Sequence, residues 1–116
     1  MEFVFHRFTC ACVFCCTLYN CTVNELNNII VKNNNSIIKD NSGHGIFTAG
    51  GNIDVNIKYS FIKDNGENGI YQTGGNSTEP VILTIDNSSI NDNGAKGIDQ
   101  NTDYGSLFLD YCNITD

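Results

Sequence analysis

From Ile29 onward, apolar residues fall in short alternating runs. Ile29 and Val31, then Ile53, Val55 and Ile57, then Val81, Leu83 and Ile85, then Leu107 and Leu109 each take every second position. Successive side chains of a strand point to opposite faces, so alternation rich in β-branched residues predicts strands with one buried face. Each run is followed by Ser or Cys and a lone Ile, and the first three continue with Asp-Asn, a Gly-bearing turn and Gly-Ile. Each unit thus has two strand-like pieces. No i, i+3, i+4 pattern is long enough for a helix.

The units repeat. Asn35 to Phe47, Tyr59 to Tyr71 and Asn87 to Asp99 all carry Ile-x-Asp-Asn-x-x-x-Gly-Ile, and a fourth copy opens at Tyr111. Their starts lie 24, 28 and 24 residues apart. A fixed period of this size implies a solenoid. Stacking the units at the ~4.8 Å strand spacing places matching residues above one another. Ile38, Ile62, Ile90 and Ile114 then form one inward ladder, and Ile46, Ile70 and Ile98 another. Asn41, Asn65 and Asn93 stack at a corner, which gives the high Asn content a structural use rather than a disordered one. Gly43, Gly45, Gly66, Gly69, Gly94 and Gly97 are expected to supply the positive φ of the turns. The four extra residues of the longer period, Ser77-Thr78-Glu79-Pro80, are expected to form a surface loop.

Residues 1–26 stand apart from the repeat region, 27–116, whose units run near 35–58, 59–86, 87–110 and 111–116. Five of the six cysteines lie between Cys10 and Cys21. Three readings stay open: a secretory signal or anchor, a cap or truncated coil with cysteines as small core residues, and a metal site of unfamiliar spacing. Under the second, aligning Cys21 with Cys112 places Cys16 and Leu18 where Leu107 and Leu109 stand later. Only 15 residues separate Cys21 from Ser36, so either a coil is truncated or the repeat begins near Ile29. Asp116 falls inside a repeat, so the carboxyl-terminal edge is expected to be open, covered by further chain or by edge-to-edge pairing.

Composition narrows the partners. A net charge of −7 argues against nucleic acid, whose phosphates need a basic footprint, and against anionic lipid surfaces. No apolar run reaches the ~18 residues of a spanning helix.

The pattern resembles the right-handed parallel β-helix repeat of the pectin-lyase-like superfamily, whose loose signature is Ile-x-x-Asn-x-x-x-Gly-Ile. The resemblance covers Asn27 to Asp116 and implies an all-β, right-handed parallel β-helix of about three full coils with partial ends. Such repeats occur in polysaccharide lyases and hydrolases, copper-accessory periplasmic proteins, adhesin-like proteins and polymorphic outer-membrane proteins. Gly50-Gly51 and Gly74-Gly75 are similar to the last group, although its Phe-x-x-Asn is here Ile-x-x-Asn. The implied role is an extracellular or cell-surface scaffold, adhesin-like and non-catalytic, as a fragment of a longer protein; a fragment of a polysaccharide-active enzyme, lyase or inverting glycoside hydrolase, with its catalytic residues outside this segment is the alternative. Carbohydrate or another surface protein are the expected partners, with self-association through the open edge. No cofactor is expected.

Candidate chemistry is sparse. Ser42-Gly43-His44-Gly45 and Asn101-Thr102-Asp103 resemble two polygalacturonase motifs. Their order is reversed, however, the paired carboxylates of an inverting hydrolase are missing, and Arg7 is the only arginine. His44 shares its repeat position with Asn68 and Lys96, as a variable turn residue would. Lys39, Lys58, Lys63 and Lys96 do not gather into the cationic site a lyase needs. Asp40, Asp64 and Asp92 occupy one position, and such a column either faces water or holds a hard cation such as calcium. Asn20, Asn34, Asn76, Asn87 and Asn113 match Asn-x-Ser/Thr and would be glycosylation positions in a secreted eukaryotic protein.

Overall fold

The computed structural model describes residues 2–3, 17–19, 29–35 and 37–115. Two short strands, β1 (Glu2–Phe3) and β2 (Thr17–Tyr19), precede the coils. The first coil holds β3 (Ile29–Asn34), β4 (Ile37–Lys39) and β5 (Ile46–Ala49). The second holds β6 (Ile53–Lys58), β7 (Phe61–Lys63) and β8 (Ile70–Thr73). The third holds β9 (Val81–Asp86), β10 (Ser89–Asn91) and β11 (Ile98–Asn101), and a partial fourth holds β12 (Gly105–Asp110) and β13 (Asn113–Ile114). Each full coil therefore has three strands. The segment after the Ser position, read from the sequence as one piece, divides in two at the Asp-Asn corner.

Equivalent strands pair in parallel from coil to coil. With β1 and β2 added at the amino-terminal edge, they build two five-stranded sheets, β1-β3-β6-β9-β12 and β2-β4-β7-β10-β13, and a three-stranded sheet, β5-β8-β11. The register is that of the repeat: Ile38 pairs with Ile62 and Ile62 with Ile90, while Ile46 pairs with Ile70 and Ile70 with Ile98. The protein is a parallel β-solenoid of about three turns. Its core is the stack of inward rows: Ile53, Val55, Ile57, Ile62, Ile70, Val81, Leu83, Ile85 and Ile90 are each at most 1% exposed.

The corners correct the expectation for glycine. Gly43, Gly45, Gly66, Gly69, Gly94 and Gly97 have no positive φ; Asn35, Tyr59, Asn87 and Tyr111 take it at one corner and Asp40, Asp64 and Asp92 at the next, with φ between 48° and 57°, and Gly50, Asn52, Gly74 and Gly75 take it between the coils. Asn and Asp enter this region most readily among residues with a Cβ. The ladder continues around the corners, for the N–H groups of Asn35, Tyr59 and Asn87 donate to the carbonyls of Lys58, Asp86 and Asp110 at 3.0–3.1 Å. The glycines serve close stacking instead. A Cβ on Gly45 would lie 2.6 Å from the Gly69 carbonyl oxygen, and one on Gly69 would lie 2.6 Å from that of Gly97.

The amino-terminal strands lie on the edge of the first coil. β1 runs antiparallel to β3, and β2 runs parallel to β4 with Leu18 opposite Ile38. Leu18 thus belongs to the sheet of Ile38, Ile62 and Ile90, not to the row of Leu109 as the Cys21–Cys112 alignment would place it. Alternation identifies which face a residue takes but not which of three sheets it joins. The cysteines between Cys10 and Cys21 lie outside the described residues. Residues 20–28, on which the choice between a truncated coil and a repeat that begins near Ile29 depends, also lie outside the described residues.

Candidate functional site

Polar ladders line two corners of the core and one inward strand row. At the first, the Asn65 side-chain oxygen accepts from the Asn41 amide at 2.8 Å and from the Asn41 backbone N–H at 3.2 Å, and Asn65 donates to the Ile38 carbonyl at 3.3 Å. The same three bonds recur from Asn65 to Asn93 and from Asn93 to the Ile62 carbonyl, at 2.9, 3.2 and 3.3 Å. Buried amides satisfied by their neighbours avoid the cost of a lost hydrogen bond. At the second corner, Ser60, Ser88 and Cys112 each donate to the carbonyl two residues earlier.

The third ladder was not legible as such. Thr48, Gln72 and Gln100 are in register across β5, β8 and β11. Gln100 donates to the Gln72 side-chain oxygen at 2.9 Å and to the Ser106 carbonyl at 3.1 Å, and Gln72 donates to the Ile82 carbonyl. Thr48 is fully buried, and its hydroxyl has no hydrogen-bond partner among the described residues. A single polar residue in an inward strand position carries no signal until its neighbour above is known.

The outer side of β5-β8-β11 carries an aromatic platform. Phe47, Tyr71 and Asp99 share a row. The Phe47 and Tyr71 rings stack with centroids 5.5 Å apart and planes 9° apart, and the His44 ring lies 4.9 Å from Tyr71 and 5.6 Å from Phe47. The His44 Nδ1 accepts the Asn68 backbone N–H at 3.2 Å, and its Nε2 lies 3.0 Å from the Glu67 carboxylate. One coil later, the Asn68 side-chain oxygen accepts the Lys96 backbone N–H at 2.9 Å. His44 therefore does with a ring nitrogen what Asn68 does with an amide oxygen. Both are acceptors that hold the next coil, which the variable-turn reading did not anticipate. Asn101 donates to the Tyr71 hydroxyl at 3.4 Å, so one residue of each polygalacturonase-like stretch, His44 and Asn101, meets the same tyrosine. Thr102 turns away to the Gly74 carbonyl.

The outer side of β4-β7-β10 forms an open groove of about 420 Å³ lined by Ile37, Phe61, Lys63, Ser89 and Asn91. Beside it runs the Asp column. Lys39 reaches Asp40 at 3.1 Å, Lys63 reaches Asp64 at 2.9 Å, and Asn91 donates to Asp92. These acids are exposed, and each sits where the corner requires left-handed backbone, a use of Asp that needs no cation. Among the described residues, no group of three or more His, Cys, Asp or Glu is placed to hold a metal.

Of the Asn-x-Ser/Thr positions, Asn76, Asn87 and Asn113 are exposed. Asn76 is committed to the extra loop: its side-chain oxygen accepts from the Thr78 N–H and hydroxyl and the Glu79 N–H, and its amide donates to the Glu79 carboxylate. Asn87 donates to Asp86 at 2.6 Å. Asn34 ends β3, and Asn20 lies outside the described residues.

Comparison of this chain with family models, with characterised proteins and with solved structures gave no significant match.

Proposed function

We propose that this protein is a non-catalytic β-helix scaffold of an extracellular or cell-surface location, an adhesin-like binding module whose partner is a carbohydrate chain. The reading rests on one observation: His44, the residue best suited to acid–base work, has both ring nitrogens engaged in joining adjacent turns, at Asn68 and Glu67. Around it the stacked Phe47 and Tyr71 rings, with Glu67, Asp99 and Asn101 at their rim, form an apolar surface with polar groups at its border. That is the composition of a recognition surface. A linear polymer laid along the solenoid axis would meet an aromatic ring at two successive turns. This resembles the use made of the pectin-lyase-like repeat in surface proteins.

The test has two arms. Incubation with acidic and neutral polysaccharides is expected to release no reducing or unsaturated ends, and release that is lost in His44→Ala would overturn the non-catalytic reading. Affinity electrophoresis in the same polysaccharides is expected to show retardation that falls at least several-fold in Tyr71→Ala, with far-UV circular dichroism unchanged. Equal retardation of the parent and Tyr71→Ala would remove the platform from the binding surface.

A further inference from the structure

We propose that Asn65, Asn68 and Asn93 are sites of self-modification through cyclic imides, which the stacked coils suppress and unfolding releases, and that conversion at Asn65 or Asn93 bars return to the fold. All three precede a glycine, at Gly66, Gly69 and Gly94. With no Cβ to shield it, the glycine nitrogen of an Asn-Gly pair can attack the asparagine side-chain carbonyl carbon. A carbon–nitrogen bond forms, and the amide nitrogen leaves as ammonia with the glycine proton. Water then opens the ring to aspartate or isoaspartate.

The fold itself demands this pairing. The inner corner needs an amide, because each member both accepts and donates. The Asn65 oxygen accepts from Asn41, while its nitrogen donates to the Ile38 carbonyl and, at 2.9 Å, to the Asn93 oxygen. The next position needs glycine, for a Cβ on Gly66 would lie 2.2 Å from the Ser42 carbonyl oxygen, and one on Gly94 2.2 Å from that of Gly66. Asn68-Gly69 arises in the same way. Asn68 accepts the Lys96 N–H, and a Cβ on Gly69 would meet the Gly97 carbonyl oxygen.

The same contacts hold the reaction in check. Each attacking nitrogen has its N–H bound to the adjacent coil: Gly66 to the Asn41 carbonyl at 2.8 Å, Gly94 to that of Asn65 at 2.7 Å, and Gly69 to that of Lys96 at 2.9 Å. Asn65, Asn68 and Asn93 are at most 8% exposed, so water reaches none of them freely. The consequence of conversion differs between the sites. A carboxylate at position 65 only accepts, so it would face the Ile38 and Asn93 oxygens as a buried charge without a donor. The same holds at Asn93, whose nitrogen donates to the Ile62 carbonyl. Toward Lys96, Asn68 is an acceptor, and a carboxylate can fill that role.

Incubation of the full chain at mildly alkaline pH, folded in buffer and unfolded in guanidinium chloride, followed by peptide mass spectrometry, tests this. In denaturant the three sites are expected to convert faster than Asn41, which stands on the same ladder but precedes Ser42. In the folded chain they are expected to convert more slowly by roughly tenfold or more, because only the locally open population reacts. Recovery of the far-UV circular dichroism spectrum on dilution should fall in step with conversion at Asn65 and Asn93. Expressed as variants, Asn65→Asp is expected to melt well below the parent and Asn68→Asp close to it. Equal conversion rates in the folded and unfolded chain overturn the proposal. So does refolding undiminished by conversion, or an Asn65→Asp chain that melts with Asn68→Asp. The rate comparison uses the unsubstituted chain and does not depend on Asn65→Asp folding.

Discussion

The third coil and the partial fourth carry the same hydrophobic pattern and different burial. Val81, Leu83 and Ile85 in β9 are fully buried, whereas Leu107 and Leu109, one turn on and in register, are nearly half exposed. Strand geometry, inward direction and residue type are alike in the two. What differs is the neighbour above. In a solenoid each unit contacts chiefly its adjacent units, so burial of a row is conferred by the following turn and not by the row's own residues.

The sharpest way to break this comparison is to truncate equivalent leucines. Leu83→Ala removes a fully buried side chain between two coils and is expected to cost ~2–5 kcal/mol. Leu107→Ala, paired with it in β12, is expected to cost about half of that or less in the dilute monomer, since the apolar area withdrawn from water is smaller. Urea melts of both variants check the ratio. Equal costs at low concentration would mean that the terminal face is covered in the monomer.

A second contrast uses the glycine column. A Cβ on Gly69 would lie 2.6 Å from the backbone oxygen of Gly97 and 2.6 Å from Ile90, whereas on Gly97 the nearest atoms are the Ile114 side chain at 2.8 Å and the Thr115 oxygen at 3.3 Å. Gly69→Ala is expected to lose ~1–3 kcal/mol through forced separation of two full coils. Gly97→Ala should lose less, because the terminal segment can move aside. Thermal melts that rank the two in the opposite order would contradict the stacking role of this column.

The smallest effect should not depend on the coil at all. Tyr59 and Tyr111 take the left-handed corner with φ of 50° and 48°, where Asn35 and Asn87 stand in the alternate turns. Tyr59→Asn and Tyr111→Asn are each expected to stabilise by roughly 0.5–1 kcal/mol, since Asn reaches this conformation at lower cost. Both side chains are exposed, so little packing is lost. A gain at one position only would show that the corner is not set by local backbone preference.

The Ile and Asn ladders were readable because identical residues recur at one period, and stacking of equal positions follows from the period alone. The Thr48, Gln72 and Gln100 column was not readable, because its members differ and each resembles a misplaced polar residue when taken singly. His44 was hidden for the same reason: histidine and asparagine share an acceptor, a likeness visible only when the N–H of the next turn is in place. For the platform, Phe47 and Tyr71 could be assigned to an outward row from alternation, but their 5.5 Å stacking with His44 alongside depends on the turn geometry between β4 and β5.

The sequence by itself determined the coil, the inward and outward faces and the positions of the corners. The faces follow from side-chain alternation, which acts over a few residues, and the coil and the Asn corner follow from the recurrence of like residues at one period; the left-handed positions, expected at the turn glycines, fall instead at Asn35, Asp40 and their equivalents. Only the tertiary structure decided the division of each unit into three strands, the sheet joined by Leu18 and the polar partners inside the columns. Each of these is a relation between one turn and the next, separated by 24 or 28 residues, and the chain fixes such relations only when the turns are stacked.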